Sequence, residues 1–280
     1  MKRAVILSNL HTHTTWCDGK NTPREMVEAA LSLGYHTIGF SGHSYTPFDL
    51  SFCLRDEAGY AKEILALKKE YEGRIHIALG VERDALGQAV FEPEYTIGAV
   101  HYVTVKGEHY PIDHTFELQK KLIDECFWGN AMEAVRAYFE SLPEMAYQLK
   151  PDLIAHFDVF AKFNKLHPVF DEESQEYLDA AFRAVEGVME SCTRFEVNTG
   201  GMYRGYRQTP YPALPILEHI RQCGGEVVIS TDAHKVDGLG HGVGDAVRLL
   251  SKVGFSFIWQ LTPTGWVKTP ITEALAGYEL

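Results

Sequence analysis

The chain has 280 residues, enough for one large α/β domain or two small ones. Its formal net charge is -12, from 38 acidic residues against 26 Lys and Arg, which argues against a general nucleic-acid binder because phosphate backbones are met with surplus Lys and Arg. No run of about 18 apolar residues is present, so no membrane span is expected, and five scattered cysteines without a CxxC pair exclude a disulfide framework. Residues 1–7 are basic and then apolar, but the run breaks at Ser8-Asn9, too short for a signal-peptide core; a cytoplasmic protein is expected.

Short apolar runs predict strands at residues 4–10, 36–41, 75–81, 96–103, 153–156, 194–198 and 227–230. Helices are expected between them. Thr22 can cap the first, Pro23 suits its first turn, Glu25 completes a capping box, and Gly34 closes it. A second helix is expected over 57–71, a third over 131–149 with a bend near Pro143, a fourth over 172–190, and a fifth from Pro215 to Gly224-Gly225. The stretch 107–127 breaks the alternation and reads as a loop over the barrel mouth; 256–259 is a candidate last strand. Alternation of strand and helix implies a parallel sheet with crossover helices. Seven strands suggest a closed or distorted barrel, and without a linker or repeat one domain spanning 1–280 is expected.

The strand ends carry the chemistry. His11 and His13 lie two apart and so face one side of a strand. His43, Glu82, His101 and His156 follow at later strand ends, and Asp232 and His234 form a second same-side pair. Functional groups of α/β barrels gather at the carboxyl ends of strands, and imidazoles mixed with carboxylates suit Zn, Fe or Mn. Eight or nine candidates exceed the needs of one ion and suit two or three. Asp18, before Gly19, reads equally as a ligand or a turn residue. Cys17 is set aside because the other donors are nitrogen and oxygen. His36 and His76 read as structural, His219 as an exposed helix residue, and His109, His114 and His167 as loop residues, one of which could touch substrate. His241 is placed near the site mouth.

In order along residues 9–241, the pieces His11-Thr-His13, Cys-Asp18-Gly, Gly42-His43, Gly80-Val-Glu82, Ala-Val-His101, Ala-His156-Phe-Asp158, Phe-Glu196-Val-Asn198-Thr and Ser-Thr-Asp232-Ala-His234 resemble the polymerase and histidinol phosphatase (PHP) superfamily, and within it the monofunctional histidinol-phosphate phosphatases. The resemblance implies a distorted TIM-like (β/α)7 barrel of PHP type with three divalent transition-metal ions (Zn, Mn or Fe). It implies His11, His13, Glu82 and Asp232 on the first metal, Glu82, His101 and His156 on the second, and Asp18, His43 and His234 on the third. It implies basic residues facing a substrate phosphate, Lys162 and either Arg204 or Arg207. The implied reaction is hydrolysis of L-histidinol phosphate, a step of histidine biosynthesis, by a hydroxide bridging two metals. Glu82, Asp232, His234 and Asp158 are then expected to act at the reaction, with Asp158 as proton donor to the leaving group or as a partner that orients His156. The alternatives are another phosphate ester, including a phosphodiester, or a non-catalytic metal-binding relative. No nucleic-acid or membrane partner is expected, and the oligomeric state is left open.

Overall fold

The computed structural model of the chain describes residues 8–87 and 89–276. The framework is a sheet of six parallel strands: β1 (Thr37–Phe40), β2 (His76–Asp84), β3 (Tyr95–Ala99), β6 (Leu153–Ile154), β7 (Arg194–Asn198) and β8 (Glu226–Ser230), neighbours in that order. Two antiparallel hairpins stand apart from it, β4 (Tyr102–Val105) with β5 (Glu108–Pro111), and β9 (Phe257–Thr262) with β10 (Gly265–Pro270). Of the first expected strand, residues 4–7 lie outside the described residues. Its continuation closes the circle by hydrogen bonds to both ends of the sheet. Asn9 N–H donates to Thr37 O at 3.1 Å and Gly39 N–H to Asn9 O at 2.7 Å; His13 N–H donates to Ala233 O at 2.9 Å and Ala233 N–H to His11 O at 3.2 Å. The result is a distorted seven-membered barrel.

The helices form for local reasons readable in the sequence. In α1 (Pro23–Leu33) Thr22 and Glu25 make the expected capping box, and Gly34 ends the helix in the left-handed region at φ 82°. Asp56 caps α2 (Glu57–Glu70), Thr115 caps α3 (Phe116–Phe127) and Asn130 caps α4 (Ala131–Leu149). The helix α5 (Gln175–Met189) starts three residues later than expected, because Ser174 supplies the cap and Glu172 is held by Asn164 and Arg207. The short α6 (Gly200–Tyr203), α7 (Leu214–Gln222), α8 (Val243–Val253) and α9 (Ile271–Ala276) complete the set.

Two expectations are corrected. Residues 96–103 are not one strand. His101 N–H donates to the Asp84 carboxylate at 2.8 Å instead of to a ladder partner, so β3 stops at Ala99 and the chain turns out into the β4–β5 hairpin. Residues 107–127 are not a structureless loop either. Lys106 and Gly107, both at positive φ, make the hairpin turn, and α3 follows.

Side chains alternate across the sheet. Ile77, Leu79, Ile154, Phe195, Val197, Val227 and Ile229 face the helices, while Ala78, Tyr95, Ile97, Leu153, Ala155 and Val228 form a separate inner cluster with Leu10. Tyr95 fills the barrel interior, and its hydroxyl donates to Leu10 O at 2.5 Å, one residue before His11. It fits because Gly39 and Gly80 have no Cβ; one on either would overlap its ring or hydroxyl. Gly80→Ala is therefore expected to destabilise the protein by about 1–3 kcal/mol through overpacking, read as a lower urea midpoint. An unchanged midpoint would refute this packing.

Candidate metal centre

The inner parity that puts Tyr95 in the barrel also aims the polar residues at its upper rim. Glu82 follows Gly80 in the inward row of β2, near its carboxyl end, and is buried. Its Oε2 lies 3.1 Å from His11 Nε2, 3.4 Å from His13 Nε2 and 3.0 Å from His43 Nδ1. Its Oε1 lies 3.2 Å from His101 Nε2 and 3.1 Å from His156 Nε2. Asp232 Oδ1 approaches His11 and His13 Nε2 at 3.7 and 3.3 Å and His234 Nδ1 at 3.4 Å. It does so from a left-handed backbone, φ 47°, that Asp tolerates better than most residues. Asp18 joins from the segment after the first strand, its Oδ2 at 3.0 Å from His234 Nε2 and its Oδ1 at 3.6 Å from His13 Nδ1. All nine residues expected as ligands are thus gathered, in four overlapping donor groups: His13/Asp18/His43/His234, His11/Glu82/His156, His11/His13/Asp232 and His43/Glu82/His101. Cys17 lies beside them, its Sγ 3.5 Å from His13 Nδ1.

The donor set fits cations. Buried polar atoms are normally hydrogen-bonded, yet His11 Nε2, His13 Nε2, Asp18 Oδ1 and Glu82 Oε2 make no hydrogen bond among the described residues, and all four belong to the cluster. Burial alone would push the carboxyls of Glu82 and Asp232 up. The surrounding rings, and Arg204 beside Asp232, outweigh it and hold both well below the usual carboxylate range. His13, buried and flanked by His234 and His43, is pushed down to about 3 and is neutral, the form that binds metal. Burial also opposes charge on His101, but Glu82 overrides it and raises the ring to about 9. His11 is likewise raised, against burial, by Glu196, Glu82 and Asp232.

Glu196 is the residue that carried no expected role. Phe195 and Val197 face the helices, which leaves Glu196 pointing inward from β7. Its Oε1 accepts from His11 Nδ1 at 2.7 Å and from the Ser230 hydroxyl, and its Oε2 from His156 N–H and Asn198 Nδ2, each at 2.8 Å. It fixes the His11 ring and leaves Nε2 for the cluster. The inward parity of a carboxylate between two apolar residues was the available signal.

A cavity of about 300 Å³ opens over the cluster. Its wall includes Lys162 and Arg204 together with Phe52, Asp113 and His114. Lys162 Nζ donates to Asp113 O at 2.5 Å and lies 3.3 Å from Asp113 Oδ2. Arg204 donates to Asp232 Oδ2 at 2.7 Å. Arg207 and Asp158 do not line the cavity. Arg207 Nη1 donates to Glu172 at 3.0 Å, and its guanidinium lies over the Tyr211 ring. Asp158 is fully buried, accepts from Ala213 N–H at 2.9 Å and lies 3.7 Å from Arg207. The two brace the 211–213 segment instead. Of the loop histidines only His114 lines the cavity; His109 packs at a tilt against Phe48, His167 stacks on Phe116, and His241 meets Tyr203 edge-on. His36 is tied to Thr37 and Gln260.

Fold and cluster together define an α/β barrel protein whose strand ends could hold several adjacent cations. The PHP domain family matches residues 9–199, and the chain belongs to that family. A histidinol-phosphatase of Bacillus subtilis is 28% identical over 261 residues, covering 82% of this chain and 94% of the relative. A probable histidinol-phosphatase of Deinococcus radiodurans is 28% identical over 264 residues, 89% of this chain and 94% of its own length. The crystal structure of histidinol phosphate phosphatase from Lactococcus lactis, in complex with zinc, L-histidinol and phosphate, superposes with a TM-score of 0.72 at 21% identity, covering 94% of this chain and 99% of that one.

Two outcomes are expected. Rings such as His101 hold protons at neutral pH and must shed them to bind metal. Titrating the metal-free protein with Zn²⁺ near neutrality should release protons, fewer as pH rises past about 9, read by calorimetry in buffers of different ionisation heat. Glu196→Gln should weaken metal binding by roughly 10–100-fold, as for other residues that orient a ligating histidine, in competition with a chromophoric chelator. Unchanged affinity would remove Glu196 from the centre.

Proposed function

We propose that the chain is a metal-dependent phosphomonoesterase that hydrolyses L-histidinol phosphate to L-histidinol and phosphate. One observation carries this reading: in a space of about 300 Å³ the cavity sets six of the nine clustered residues (Asp18, His43, His101, His156, Asp232 and His234) beside two cationic side chains, Lys162 and Arg204. That combination suits a phosphate monoester, which brings anionic oxygens to both sides. The names of the relatives point to the same substrate.

In this reading three divalent ions would be held at the centre, the first by His11, His13, Glu82 and Asp232, the second by Glu82, His101 and His156, and the third by Asp18, His43 and His234. Such ions supply Lewis acidity toward phosphoryl oxygens and lower the pKa of bound water from 15.7 to about 7, which makes a hydroxide nucleophile available at neutral pH. The protein does the rest by positioning. Arg204, its terminal nitrogens held by Asp232 and beside His234, brings a fixed guanidinium charge to the cavity, and Lys162 adds a point charge from the other loop. Developing charge on the equatorial oxygens is thereby met by donors already in place. Arg207, held by Glu172 and Tyr211, is the basic residue that braces the wall, and Asp158, shut away from the cavity, cannot reach the leaving group to donate a proton.

Neighbouring groups of the same wall suit the alcohol. Histidinol carries an ammonium group and an imidazole ring. Phe52 offers a ring face, and Asp113 offers an acceptor, Oδ1, that has no hydrogen bond among the described residues. Lys162 beside Asp113 outweighs its burial and keeps its carboxyl below the usual range, so it is charged when the ammonium arrives.

Protein reloaded with Mn²⁺ or Zn²⁺ is expected to release phosphate from L-histidinol phosphate in strong preference to generic monoesters and a phosphodiester. His11→Ala should abolish turnover, losing more than the roughly 10–100-fold of an outer partner. Better turnover of another ester would sink the substrate assignment while sparing the centre. Asp113→Asn should raise KM for L-histidinol phosphate and leave that for a phosphate ester without an ammonium group unchanged; equal effects on both would mean that Asp113 only holds Lys162.

A further inference from the structure

A second group of metal-ligating side chains lies outside the barrel, away from the strand ends. α5 carries Glu186, and α7 carries His219 with Cys223 at its cap. His219 and Cys223 are four residues apart, so they share one helix face. Contact between α5 and α7 brings Glu186 across to them. His219 Nε2 lies 3.2 Å from Glu186 Oε1 and 3.5 Å from Cys223 Sγ, and one donor atom from each residue lies within 4.8 Å of the other two. The imidazole does not swing freely. It stacks on Phe182 with ring centroids 4.2 Å apart and planes 13° apart, which keeps Nε2 aimed into the gap between the carboxylate and the sulfur. The His219 side chain is 17% exposed and that of Glu186 60%, so the gap is walled on one side and open to an incoming ion on the other.

We propose that Glu186, His219 and Cys223 form a peripheral site for a divalent cation of the zinc class, with water completing the coordination. Sulfur, imidazole and a single carboxylate suit zinc and its neighbours and disfavour magnesium and calcium, which prefer all-oxygen sites. On binding, the Cys223 thiol gives its proton to solvent as the sulfur–metal bond forms, and the imidazole nitrogen and a carboxylate oxygen each donate a lone pair. A cation here joins two helices whose approaches, Glu172 and Ala213, hold Arg207 and Asp158 behind the cavity wall.

The test is spectroscopic and does not depend on what the strand-end centre hydrolyses. The full chain is loaded with Co²⁺, and the thiolate-to-cobalt charge-transfer absorption in the near ultraviolet is recorded together with the number of ions bound. Donors of the strand-end centre are nitrogen and oxygen, with the Cys17 sulfur beside them. The absorption is expected in the unaltered chain and in Cys17→Ser. It should vanish in Cys223→Ser and in His219→Ala, with one bound cobalt fewer in each and with phosphatase turnover of Cys223→Ser unchanged. Absence of the absorption from the unaltered chain, or its survival in Cys223→Ser, overturns the proposal.

Discussion

Five imidazoles converge on one buried carboxylate. His11, His13, His43, His101 and His156 each bring a ring nitrogen within 3.4 Å of Glu82, which is almost fully buried at the top of β2. An unpaired carboxylate at such depth would cost several kcal/mol, and in practice it would take up a proton. Here the rings hold it ionised. The rings in turn come from different strands and loops, so each depends on the barrel bringing its neighbours close. Remove Glu82 and five buried histidines lose the anion that brings them together; remove the barrel and they have no reason to meet.

Barrel closure is what makes this convergence possible. The segment through Asn9 and Thr12 is hydrogen-bonded to the β1 side at one end and to Ala233 at the other, so His11 and His13 sit where first and last strands meet. Tyr95 sets the height of that segment from below through Leu10. Glu196 sets the His11 ring from the side. The inner residues therefore form two layers, an apolar plug and a polar rim, and the plug rather than the rim does the stabilising. Polar groups that burial would penalise are tolerated at the rim because neighbouring charges compensate them, an arrangement that also leaves donor atoms for cations.

The acidity of the chain takes on a local meaning in this setting. Excess carboxylate does not repel an anionic ester at the site, because the carboxylates nearest the cavity are each spoken for: Asp232 by Arg204 and histidines, Asp18 by His234, Asp113 by Lys162. Cations held by the cluster would reverse the local sign, and Lys162 and Arg204 extend the cationic wall. Net charge is a property of the whole surface, whereas recognition is decided over a few ångströms.

Much of the fold was legible because local physics governs it. The capping box at Thr22 and Glu25, the stop at Gly34 and the alternation of short apolar runs with amphipathic stretches need no tertiary information. The residues of the rim could be read as donors because each follows an apolar strand. Three features could not be read. The end of β3 depends on Asp84 taking the His101 N–H from seventeen residues away, a competition that periodicity cannot see. The choice between Arg204 and Arg207 depends on which guanidinium finds Asp232 and which finds Glu172, since the two arginines stand only three residues apart on one loop. The role of Glu196 depends on His11 lying across the barrel from it. Sequence by itself determined which residues can donate and which local elements they end. Only the tertiary structure decided which of them share a site, because hydrogen-bond and metal-ligand distances are set by the closure of the barrel and not by spacing along the chain.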